Sequence, residues 1–140
     1  MSEAPRAASG SPPPRPGPEL DASGGGGPVE ASGPASGPPA AEGAAGREFQ
    51  RLVDIMRRLR GPQGCPWDRE QTLESLRGFV LEETYEVLDA IDRADHGALR
   101  GEIGDLLFEG VFLAQIEADE GRFTVAESLR AVNELSLIHI

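Results

Sequence analysis

From Arg47 onward, apolar side chains recur at Phe49, Leu52, Val53, Met56 and Leu59, the spacing of one helix face, until Gly61-Pro62 interrupts it. The stretch Gly61 to Asp68 holds two Gly and two Pro in eight residues and predicts a structured loop rather than a helix or strand. A second helix is predicted from about Leu73 to Asp92, with Leu76, Val80, Val87 and Ile91 on one face, and either Asp68 or Thr72 is placed to cap it. Asp95-His96-Gly97 then predicts a turn, and a third helix follows from about Leu99 to Glu120, stopped by Gly121. A fourth, Val125 to Asn133 or beyond, is signalled by Thr124 with Glu127 three positions on, a capping-box pattern. No segment alternates with period two for long enough to be a strand, and no repeat is present. The expected fold is all-α, a small four-helix-type bundle.

Composition sets the bounds of that bundle. Residues 1–46 hold 36 Pro, Gly, Ala and Ser, and their larger apolar side chains are Met1, Leu20 and Val29. Such a stretch cannot bury enough surface to offset chain entropy, so a disordered tail over 1–46 is expected, with the folded domain at 47–133. Residues 134–140 form an atypical terminus. All seven aromatic residues lie after position 46. A domain of this size is marginally stable alone, which favours a homodimer or higher homo-oligomer.

The net charge of −11, with 13 Arg and no Lys, argues against a basic nucleic-acid-binding surface. Cys65 is the sole cysteine, so neither an intrachain disulfide nor a cysteine zinc cluster can form. With no apolar leader and no membrane-length apolar run, a cytoplasmic location and no membrane partner are expected.

Candidate chemistry lies in carboxylates at apolar positions. Helix periodicity turns Glu83 into the edge of the second helix's apolar stripe. The third helix is apolar around nearly its whole circumference, the pattern of a buried helix, yet it carries Glu102, Asp105 and Glu109 along one stripe. Buried carboxylates are costly unless paired or metal-bound. Glu83/Glu86 and Glu102/Asp105 are both spaced i, i+3, so antiparallel helices would let the two pairs face each other. An all-oxygen site of this charge selects Mg²⁺, or Mn²⁺, over zinc. Neither His completes the Glu-x-x-His pairs of a di-iron bundle. The alternatives are arginine-neutralised or solvated glutamates.

Gly64-Cys65-Pro66-Trp67-Asp68 with Gln71-Thr72, then Glu82-Glu83-x-x-Glu86, then Glu102-Ile103-Gly104-Asp105 closely resembles the MazG family of nucleoside triphosphate pyrophosphohydrolases, over about Phe49 to Asn133. The resemblance implies an all-α, often dimeric fold that uses Mg²⁺ to split NTPs between the α- and β-phosphates, giving NMP and pyrophosphate. It implies Glu83, Glu86, Glu102 and Asp105 as metal ligands, and Glu82 as the residue that orients or deprotonates the attacking water. Trp67 is a candidate for stacking on a nucleobase, against the plainer reading of a core-edge plug. The chain departs from the family in three respects: Glu109 replaces a common Gln, Leu113 a common His, and Glu134 to Ile140 lacks the usual basic residues. A catalytically silent helical module with a structural Mg²⁺ site is the rival reading.

Overall fold

The computed structural model describes residues 43–138; the tail expectation for residues 1–42 lies outside the described residues. Five helices follow one another: α1 (Ala44–Leu59), α2 (Pro66–Glu70), α3 (Leu73–Asp92), α4 (His96–Asp119) and α5 (Val125–Ile138). No strand occurs among the described residues.

α3 and α4 form an antiparallel hairpin that is the widest contact in the molecule. α1 lies against α4, and the Arg60 guanidinium at its end meets Asp119 at the end of α4 (2.7 Å), so these two helices run in the same direction. Val53 and Met56 of α1, Leu76 of α3, and Val111, Phe112 and Ile116 of α4 make the core. α5 rests on α4 and contributes no buried residue.

Local chemistry sets the helix ends. Thr72 caps α3 reciprocally with Ser75: each side-chain oxygen accepts from the other's backbone N–H (3.1 and 2.9 Å). Thr124 and Glu127 make the box expected before α5. Asp95 caps α4 by accepting from the Ala98 N–H (2.9 Å), so His96 and Gly97 fall inside the helix rather than in the predicted turn. The turn is instead closed at Ala94, left-handed at φ 51, with the Asp95 N–H bonded to Ala90 C=O and the Ala94 N–H to Ile91 C=O.

Pro66 to Glu70 is helical, correcting the expectation of an all-loop segment. A Pro at the first helical position loses no hydrogen bond, and Asp68 complements the N-terminal dipole. α1 starts three residues before Arg47, and α5 continues to Ile138, past Asn133.

One further expectation is overturned. α4 is not buried all round: Ile103 and Leu107 are 46% and 49% exposed, because neither α1 nor α5 covers the outer side of its first half. Gly104 lies on this open part of the helix, where a Cβ would meet no neighbouring atom within 4 Å.

Candidate metal centre

Periodicity and the hairpin together bring carboxylates into one place. On α3, Glu83 lies within about 60° of Leu76, Phe79, Val80 and Ala90, the buried or half-buried face. It therefore points toward α4, whose first half presents Glu102 and Asp105. One carboxylate oxygen from each of Glu83, Glu102 and Asp105 lies within 4.8 Å of the others. Glu83 and Glu102 are half-buried and Asp105 is exposed.

Glu86, expected as a fourth member, stands outside this group; it and Glu82 are exposed on α3. Both still act on Glu83 through space. Burial raises the Glu83 carboxyl above its ordinary value of 4.5, and the charges of Asp105, Glu102, Glu82 and Glu86 push it further in the same direction.

None of these five carboxylates has an arginine partner among the described residues. Three arginines pair elsewhere: Arg93 binds Asp89 and Asp95 at the hairpin turn, Arg122 binds Glu117, and Arg60 binds Asp119. An arginine-neutralised cluster is thus not what these residues form. Three facing carboxylates, all oxygen donors without a counter-charge, suit a hard divalent cation.

Beside the cluster, the segment Gly61–Gln71 is held by contacts that periodicity does not reveal. The Arg60 Nη1 donates to the backbone carbonyls of Asp68 (2.7 Å) and Gln71 (3.2 Å) while its Nε binds Asp119. One side chain thereby ties α1, α2, the start of α3 and the end of α4. Its position just after an amphipathic helix resembles that of any capping arginine, so no local signal distinguishes it. Gly64 is required sterically: a Cβ there would sit 2.2 Å from the carbonyl oxygens of Arg58 and Leu59.

Trp67 is half-buried against the core, edge-on to Phe79 (centroids 5.7 Å apart) and to Phe112 (6.5 Å). Phe79 is one helical turn before Glu82 and Glu83, so the aromatic group borders the carboxylate side of α3. Cys65 is half-buried at the start of α2, and Tyr85 is 63% exposed. Glu109, one turn beyond Asp105, is buried. Leu113 is half-buried beside α3.

Comparison with known proteins extends these observations. Residues 71–134 match the family model described as the MazG nucleotide pyrophosphohydrolase domain. A nucleoside triphosphate pyrophosphohydrolase of Escherichia coli strain K12 is 53% identical over 88 residues, covering 62% of this chain and 34% of that protein. A protein of Thermotoga maritima named nucleoside triphosphate pyrophosphohydrolase/pyrophosphatase is 47% identical over 90 residues, 64% of this chain and 35% of its own length. A Mycobacterium tuberculosis nucleoside triphosphate pyrophosphohydrolase is 46% identical over 81 residues, 54% of this chain and 24% of its own length. The chain spans about a third or less of the length of these relatives.

Proposed function

This chain carries a MazG nucleotide pyrophosphohydrolase domain over residues 71–134, and on that premise we propose that it hydrolyses nucleoside triphosphates between the α- and β-phosphates, releasing NMP and pyrophosphate. The observation that carries the reading is the group of Glu83, Glu102 and Asp105, three carboxylates from two helices without a cationic partner among the described residues.

Glu83, Glu102 and Asp105 hold Mg²⁺, or Mn²⁺, and Glu86 joins from the next turn of α3. Bound there, the cation supplies Lewis acidity and offsets the charge of the phosphates. The remaining work falls to the chain. Glu82, exposed beside Glu83, orients the attacking water and accepts its proton. The half-buried Glu83 and Glu102 keep the ligand oxygens in place through the hairpin packing, and Trp67 offers an aromatic surface to the base. We further assign the activity to the cytoplasm and to a homodimer. Among the described residues no helix is long and apolar enough to cross a membrane, and the chain's single cysteine suits a reducing compartment.

The test is product identification. With a panel of NTPs, Mg²⁺-dependent formation of pyrophosphate and NMP, abolished by chelator and by Asp105→Ala in a variant with unchanged helicity, is the expected outcome. Phosphate and NDP as products would overturn the bond assignment. Absence of turnover, with no nucleotide binding in Mg²⁺, would favour the silent helical module.

A further inference from the structure

The segment between α1 and α3 carries Trp67, and its backbone is fixed in two stages. Its first part closes on α1: the Gly64 N–H donates to Gly61 C=O and the Cys65 N–H to Leu59 C=O, both at 2.9 Å. Around Trp67, side-chain bonds then add to those of the short helix α2. The buried Gln71 donates from Nε2 to the Trp67 carbonyl (2.8 Å), and its Oε1 accepts from the Ser75 hydroxyl (2.9 Å). The Gln71 carbonyl in turn accepts from Arg60, as does the carbonyl of Asp68, the residue after Trp67.

Arg60 also meets the ring system that Trp67 joins. Its guanidinium carbon lies 5.8 Å from the centroid of Phe112, the ring to which Trp67 stands edge-on. The Arg60 side chain is 11% exposed, and its Nε binds Asp119 on α4 at 2.7 Å. A guanidinium is a rigid planar fork, so fixing Nε on Asp119 fixes the direction in which Nη1 donates. Asp119 itself stands nearly four turns of α4 beyond Asp105, about 21 Å along the helix and well away from the carboxylate group.

We propose that Arg60, anchored by Asp119, is a positioning residue for the nucleotide: it fixes Trp67 at the level of α3 where the indole meets the base while the phosphates reach the carboxylates. This rests on the reading of Trp67 as the base surface given above and names what sets its place. Phe79, edge-on to Trp67 at 5.7 Å, lies one turn of α3 before Glu83, so the indole stands about one helical turn from the cluster, a gap that a ribose bridges. Base and metal-bound phosphate belong to one ligand, so both contacts form together at one spacing only, and a displacement of about 1 Å is enough to lose the match. The bonds of Arg60 end on two carbonyls, a carboxylate and an aromatic ring, so its effect on the nucleotide passes through Trp67.

Trp67 is the chain's single tryptophan, so indole fluorescence reports this position alone. Arg60→Lys keeps the charge and removes the fork, and Asp119→Asn loosens the anchor from the far end of α4. Both are measured below their melting temperatures, with helix content followed by circular dichroism. Each should open Trp67 to acrylamide quenching and raise KM for ATP, GTP, CTP and UTP about tenfold, within the roughly five- to hundredfold that stacking on one aromatic ring contributes. Their kcat and calorimetric Mg²⁺ affinity should stay at the wild-type values. Where turnover is absent, the same tenfold shift is read in nucleotide dissociation constants from Trp67 emission. Trp67→Leu keeps an apolar plug without the ring, and in that background Arg60→Lys should raise KM no further. Additive effects, a fall in kcat and Mg²⁺ affinity at unchanged KM, or wild-type KM in both single variants would each overturn the positioning role and leave the base contact standing. Trp67 emission unmoved by all four nucleotides in Mg²⁺ would overturn the base contact and this inference together, while the bond cleaved is still read from the products.

Discussion

Replacing Glu83 by Gln should make the metal-free protein more stable and the metal-loaded protein less stable. The substitution keeps size and helix propensity while removing the charge that burial and four neighbouring carboxylates disfavour. Two of those neighbours, Glu102 and Asp105, present oxygens within 4.8 Å. At that separation each repulsion is about 0.9 kcal/mol in water and about 3.5 kcal/mol at an effective dielectric of 20. With one neighbour exposed and salt present, the relief on removing one charge is about 1–2 kcal/mol. For a domain of this size that raises the melting temperature by roughly 4–15 °C. Mg²⁺ reverses the ranking, because each tenfold excess over its dissociation constant adds about 1.4 kcal/mol to the wild type. The assay is thermal unfolding at pH 8, where Glu83 is most fully ionised, in chelator and across a Mg²⁺ series, with Glu74→Gln on exposed α3 surface as control. A variant no more stable than wild type in chelator, or one retaining the wild-type Mg²⁺ increment, would refute the reasoning.

Other outcomes follow from the same structure. Gly64→Ala should cost at least about 2–4 kcal/mol in urea unfolding, since a Cβ at 2.2 Å from two carbonyl oxygens forces the loop open and breaks the Cys65 N–H to Leu59 C=O bond. A loss below about 0.5 kcal/mol would show that the loop is not so constrained. Ala94→Gly should stabilise by about 0.5–1 kcal/mol, because Ala94 occupies the left-handed position where Gly121 serves the corresponding turn after α4. No rise in melting temperature would count against strain there. In chelator, stability should increase as pH falls from neutral toward the raised Glu83 value: the folded state then binds more protons than the unfolded one. Below the ordinary carboxylate range it should fall again, as Asp95, lowered by the Ala98 N–H, and Glu117, lowered by Arg122, are protonated. Mg²⁺ binding followed by calorimetry should weaken over the Glu83 window, with proton release on binding; pH-independent affinity would remove Glu83 from the ligand set.

Much of this protein was determined by its sequence alone. Helical spacing sets which side chains share a face within one helix, so the four long helices, the capping pair Thr124/Glu127 and the inward direction of Glu83 follow from local chemistry, whereas the choice of Thr72 over Asp68 as the cap of α3 does not. The acidic i, i+3 pairs and the Gly64–Asp68 segment were equally legible, and they carried the family resemblance. Only the tertiary structure decided the distances between helices. Which carboxylates meet depends on the rotation and offset of α3 against α4, and that geometry gathers Glu83, Glu102 and Asp105 while leaving Glu86 outside the 4.8 Å group. The bonds from Arg60 to the carbonyls of residues 8 and 11 positions on, and to a carboxylate 59 positions on, have no local period to announce them. The same holds for the uncovered faces of α3, α4 and α5. An apolar helix surface in sequence says that something must cover it, and only the packing of the other helices shows which part they leave bare.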